Sequence, residues 1–84
     1  MNTIYWTRKA AKQLGKISKT DQGTVYDAVQ ALAHMPNVHN VKILTHHQYG
    51  YRLRVGNYRV LFDWDGQIKI VNIEEVKKRD ERTY

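Results

Sequence analysis

The sequence predicts an α+β fold. An N-terminal strand and an α-helical hairpin pack on a mainly antiparallel sheet, in the order β-α-α-β-β-β, with a short basic tail at the C-terminus. Three observations carry this. Apolar residues recur at helical spacing through the first 35 positions. From residue 51 the pattern switches to strict alternation. Between alternating segments stand turn dipeptides, above all Gly56-Asn57.

Each element follows in order. Residues 2–6, Asn-Thr-Ile-Tyr-Trp, are β-branched and aromatic and form a short strand. Thr7 caps a helix over 8–18 whose apolar positions are Ala10, Leu14 and Ile17, and whose opposite stripe is Arg8, Lys12, Lys16 and Lys19. A second helix runs from Thr20 or Asp21 to about Met35, with Val25, Ala28, Val29, Leu32 and Ala33 on one side, and Pro36 stops it. The two helices are separated by so few residues that they form an antiparallel hairpin. Residues 37–50 show no period; Val41, Ile43 and Leu44 can hold a short extended piece, and His46-His47-Gln48 is loop. Strands then cover 51–55, 58–63 and 67–74.

With 84 residues the chain is one domain, 1–84. Its 42% hydrophobic and 26% charged residues are an ordinary globular balance, which excludes wholesale disorder. It has no Cys, so a disulfide framework and a Cys-based zinc site are excluded. Neither a transmembrane run nor a signal-peptide pattern is visible, so a cytoplasmic protein with no membrane partner is expected. Fourteen Lys and Arg against eight Asp and Glu give a formal charge of +6, which points to a polyanionic partner.

Register arithmetic locates a candidate site. With Gly56-Asn57 as the loop, Val55 pairs with Tyr58, Arg54 with Arg59, Leu53 with Val60 and Arg52 with Leu61. A three-residue loop at Trp64-Asp65-Gly66 is expected to follow, pairing Phe62 with Ile68 and Val60 with Ile70. The core face is then Tyr51, Leu53, Val55, Tyr58, Val60, Phe62, Ile68 and Ile70. The other face carries Arg52, Arg54, Arg59, Lys69, Leu61 and Val71, with Asp63 the only acid near it, at its rim. Alternating charge on a strand usually marks a solvated face. Here the charge has one sign, and Arg54 faces Arg59, an arrangement that destabilises a sheet. Clustered guanidinium groups suit bidentate phosphate binding.

Two segments carry a resemblance: Tyr51-Arg52-Leu53-Arg54-Val55-Gly56-Asn57-Tyr58-Arg59-Val60-Leu61-Phe62, and Lys78-Arg79-Asp80-Glu81-Arg82-Thr83-Tyr84 behind Lys77. In this order and at this length the chain resembles the RelE/ParE toxin superfamily of bacterial toxin–antitoxin modules over nearly its whole length. The resemblance implies a toxin acting as a ribosome-dependent mRNA endonuclease, an mRNA interferase that cuts in the ribosomal A site, needs no metal or other cofactor, and inhibits translation. It implies that Arg52 and Arg54 contact phosphate, that Arg59 and Arg79 stabilise the transition state, with Arg82 able to replace Arg79, and that Tyr84 stacks on the base or takes a proton. Lys69, Lys77, Lys78 and Arg82 join the RNA-binding set. It also implies a cognate antitoxin whose acidic segment covers the helices or the basic sheet face.

The residue types suit this chemistry. Attack of a 2′-OH on the adjacent phosphate needs a base, charge stabilisation and an acid at the leaving oxygen. Surrounding cations favour the phenolate of a tyrosine. His46 and His47 are a second candidate base and RNA contact, while His34 and His39 look structural or solvated. The acids are scattered and the histidines lack ligand spacing, so no metal site is expected. Two other functions remain open on the same sequence: a ParE-like DNA gyrase inhibitor, and a non-catalytic RNA- or ribosome-binding module.

Overall fold

In the computed structural model, which describes residues 1–78, the chain order is β1 (Thr3–Trp6), α1 (Arg8–Gly15), α2 (Lys19–Gln30), a 3₁₀ turn (Ala31–His34), β2 (Val41–Ile43), β3 (Tyr51–Val55), β4 (Tyr58–Asp65) and β5 (Ile70–Lys78). The expected α+β architecture holds. The strands form one five-stranded sheet in the order β1-β5-β4-β3-β2, and all neighbours are antiparallel except β1 and β5. No helix among the described residues is long and apolar enough to cross a membrane.

Thr7 sets the entry to α1. Its side chain accepts from Ala10 N at 3.1 Å and its hydroxyl donates to Ile73 O at 2.9 Å, so one residue caps the helix and fixes it to β5. α1 ends at Gly15 rather than at 18, because Ser18 becomes the cap of α2, accepting from Asp21 N at 3.2 Å. The Gln22 side chain donates to Ile17 O at 2.9 Å and closes the short link between the helices.

The helices cover one face of the sheet. Ala10, Val25, Val29 and Leu32 meet Leu53, Val55, Val60, Phe62, Val71, Ile73 and Val76 in one buried cluster. Phe62 is fully buried, and Tyr51 stacks on it at 5.4 Å. Asn2 holds the N-terminus to the end of the helical layer, donating to Ala33 O at 3.1 Å and accepting from Trp64 Nε1, also at 3.1 Å.

The β3–β4 hairpin has the expected register in all four expected pairs, and Tyr51 pairs with Phe62 beyond them. Gly56 takes φ +54°, the positive φ that the first central position of a type II′ turn requires. The next hairpin departs from expectation. β4 continues through Trp64 to Asp65, the turn is 66–69, and Phe62 pairs with Ile73 and Val60 with Val76. Two local causes explain this. The Asp65 carboxylate accepts from Gln67 N at 2.9 Å and Ile68 N at 3.2 Å, building a turn that starts two residues later. A β-bulge between Leu61 and Phe62 then leaves Glu74 without a register partner. Ile68 is therefore exposed in the turn instead of in the core, and Val71 is core rather than open face. Gly66 is not the left-handed residue of this turn; Lys69 is, at φ +58°. A fifth strand, β2, pairs with β3 where only a loose extended piece was expected.

Candidate functional site

The sheet face turned away from the helices carries the site, and the register lays it out in three cross-strand rows. The first is Arg54, Arg59 and Lys77 on β3, β4 and β5. The second is Lys42, Arg52, Leu61 and Glu75 on β2 to β5. The third is Asp63, Asn72 and Tyr5 on β4, β5 and β1. Arg54 N donates to Asn40 O on the far side of β3, so Arg54 and Arg59 form a non-hydrogen-bonded pair, the kind whose side chains stand closest.

Five sheet cations thus converge: Lys42, Arg52, Arg54, Arg59 and Lys77. Arg52 Nε is buried and has no hydrogen-bond partner among the described residues. A buried guanidinium N–H without an acceptor suits an incoming anion.

The face is less uniformly basic than its sequence suggests. Asp63 is not its only acid. Glu75 is 7% exposed and sits one row from Lys77. Its carboxylate takes Lys9 Nζ of α1 at 2.5 Å on one oxygen and Lys77 Nζ at 3.6 Å on the other. Burial pushes the Glu75 carboxyl up, but the hydrogen bond from Lys9 and the charges of Lys77 and Lys9 outweigh it, so its pKa lies below the ordinary 4.5. The same bond raises Lys9 above 10.5, with a smaller contribution from Tyr49. Glu74 moves the other way, raised by burial and by the charges of Asp63 and Glu75.

The predicted site residues fall into four groups. Arg52, Arg54, Arg59 and Lys77 share the face, as the register placed the first three. Lys69 does not; the later turn removes it from the sheet. Lys78 pairs with Tyr58 on the helix side, where it lines a groove of about 250 Å³ with Asp21, Thr24 and Val55. There the Tyr58 hydroxyl donates to Asp21 Oδ2 at 2.7 Å, and that bond raises the Tyr58 phenol above 10.0.

His46 and His47 are exposed in the loop between β2 and β3. That loop is closed by Leu44 N to Gly50 O at 2.8 Å and tied to the sheet by Gly50 N donating to Asp63 Oδ1 at 2.7 Å. His47 Nδ1 accepts from Tyr49 N at 3.0 Å. The loop joins β3 at the Asp63 end, four residues and roughly 13 Å of strand from Arg54. Arg79, Arg82 and Tyr84 lie outside the described residues. The sequence reading missed Lys42, Lys9 and Glu75. Lys42 alternates with Val41 and Ile43, a signal too short to stand out, and the other two meet only through the fold.

The sequence matches the family model of the ParE toxin of type II toxin–antitoxin systems, parDE, over residues 4–83. The chain is a toxin of the RelE/ParE superfamily. Three solved structures describe its neighbourhood. The toxin–antitoxin complex RelBE2 from Mycobacterium tuberculosis is 25% identical, with a TM-score of 0.79 over 93% of this chain and 98% of that one. The archaeal RelE–RelB complex from Pyrococcus horikoshii is 21% identical, with a TM-score of 0.80 over 95% and 97%. The isolated E. coli RelE toxin is 14% identical, with a TM-score of 0.79 over 96% and 87%. The last two identities show a shared fold alone. No curated protein sequence gives a significant match.

Proposed function

We propose that this toxin is a ribosome-dependent mRNA endonuclease that blocks translation by metal-independent attack of a 2′-OH on the scissile phosphate. The observation that carries the reading is the row Arg54–Arg59–Lys77 beside the buried Nε of Arg52, which has no acceptor among the described residues. Facing arginines cost a sheet stability and are worth having where a phosphate bridges them. Arg52 and Arg54 hold the phosphate, and Arg59 stabilises the pentacoordinate transition state. Lys77 adds charge at its edge. Arg79, with Arg82 as its substitute, and Tyr84 complete the set on the strength of the family resemblance. The base is Tyr84 or one of His46 and His47. The acids of the face are already engaged, Glu75 by two lysines and Asp63 by Gly50 N, which favours a mechanism run by cations and a phenol or imidazole.

The partner we propose is an antitoxin with an acidic segment that covers the basic face or the lysine stripe of α1. Three neighbouring structures, from M. tuberculosis, P. horikoshii and E. coli, are toxin–antitoxin complexes, which supports this.

The test is cell-free translation with mRNA 5′ ends mapped by primer extension, with and without ribosomes, beside Arg59→Ala and a variant lacking Tyr84. Ribosome-dependent cuts that vanish with Arg59→Ala are expected. Intact mRNA with translation continuing overturns the endonuclease. A second reading, gyrase inhibition, is favoured by the family model, which is that of ParE toxins. It predicts blocked supercoiling with mRNA intact.

A further inference from the structure

Glu75 is an anomaly in the site just described. A carboxylate buried among cations would neutralise the charge a phosphate needs, and a face built only for charge would not contain it. Its surroundings resolve the contradiction. Lys9 occupies one oxygen at 2.5 Å, and Lys77 approaches the other at 3.6 Å. Lys77 stands opposite Arg59, whose other neighbour is Arg54. Left alone, a long and flexible lysine beside two guanidinium groups swings outward into water, because repulsion and side-chain entropy both favour that.

Lys9 is equally telling. It lies in the first turn of α1, where no acid is present and where a cation opposes the helix dipole. A lysine there is explained by the carboxylate it meets.

We propose that Glu75 is a positioning residue of the phosphate site: it holds Lys77 beside Arg59, while Lys9 neutralises the rest of its charge. This rests on the reading of the face as a phosphate site. Glu75 touches no substrate and acts through Lys77. The ion pairs join α1 on one side of β5 to the arginine face on the other.

The test uses the sign of an effect. The probe is a short single-stranded RNA, 2′-O-methylated to prevent cleavage, and its Kd is read by fluorescence anisotropy at low salt. Glu75→Gln removes a negative charge from a cationic face, so charge alone predicts tighter binding. Positioning predicts weaker binding, by roughly tenfold, since one charge-assisted contact is lost. Lys77→Ala weakens binding to a similar extent, and adding Glu75→Gln to it causes no further loss. Thermal melts confirm that each variant is folded.

Tighter or unchanged binding in Glu75→Gln overturns the inference, as do losses that multiply in the double variant. Should Glu75→Gln not fold, ¹⁵N relaxation at the lysine Nζ atoms of the unaltered protein decides: Lys77 is more ordered than Lys12 and Lys16, and equal order overturns the inference. Binding without ribosome-dependent cleavage overturns only the endonuclease reading. No binding at all overturns the inference and leaves the endonuclease reading to the ribosome-dependent cleavage assay.

Discussion

Replacing Arg54 by Thr should make the protein more stable and less able to bind RNA. Arg54 and Arg59 are a directly opposed, non-hydrogen-bonded pair on neighbouring strands. Two unit charges about 6 Å apart in a water-like dielectric repel by about 0.7 kcal/mol. Cross-strand pair measurements span about 0.2–1 kcal/mol, which agrees. Arg54 is exposed, so the higher dielectric is the appropriate one. A gain of roughly 0.5 kcal/mol raises Tm by about 2–4 °C in a domain of this size. The assay is thermal unfolding at low salt and again in 1 M NaCl, where the screening length falls to about 3 Å. The gain should shrink by more than half in high salt. In parallel, loss of one phosphate contact should flatten the salt dependence of RNA binding by about 0.7 log units per log unit of salt. A variant that melts below the parent at low salt, or whose gain is unaffected by salt, refutes the claim that this pair stores repulsion.

Thr7→Ala removes both the α1 cap and the bond to Ile73 O and should cost about 1–2 kcal/mol, read by denaturant unfolding with an unchanged m-value. Gly66→Ala places a Cβ 2.9 Å from the Trp64 ring, which Asn2 holds through Nε1; a loss of about 1–3 kcal/mol and a shifted Trp fluorescence maximum are expected. Because its carboxyl lies below 4.5 when folded, Glu75 contributes stability that is fully present above pH 4.5 and lost as pH falls through its folded value. The Tm difference between the parent and Glu75→Gln should therefore narrow below pH 4.5, and a constant difference would count against the ion pairs.

The arginines were legible because their hairpin is. Gly56-Asn57 fixes the turn, and a one-residue slip would put Leu53 and Val60 in water, so sequence alone determines the pairing of Arg54 with Arg59. The next hairpin was not legible, since its register depends on a bulge at Glu74 and an Asp65 side-chain turn, and neither leaves a mark in the hydrophobic pattern. That single miss moved Lys69 off the face and concealed Glu75. Lys77 looked like the start of a charged tail, yet β5 extends to Lys78 and carries it into the arginine row. Lys9 lies in α1, and its role depends on a residue 66 positions away.

The parallel strand at the sheet's edge has a consequence for how the protein comes into being. β1 is the first strand synthesised, yet its partners are residues 70–73. Thr7, which starts α1, also bonds to Ile73 and Glu74. β1 therefore has no native neighbour in the sheet until residues 70–73 have been made, and closing so long a loop is slow. Lys77, at one end of the cationic row, arrives later still. Through most of its synthesis a nascent chain thus lacks β5, and the row Arg54–Arg59–Lys77 is complete only once Lys77 has been made.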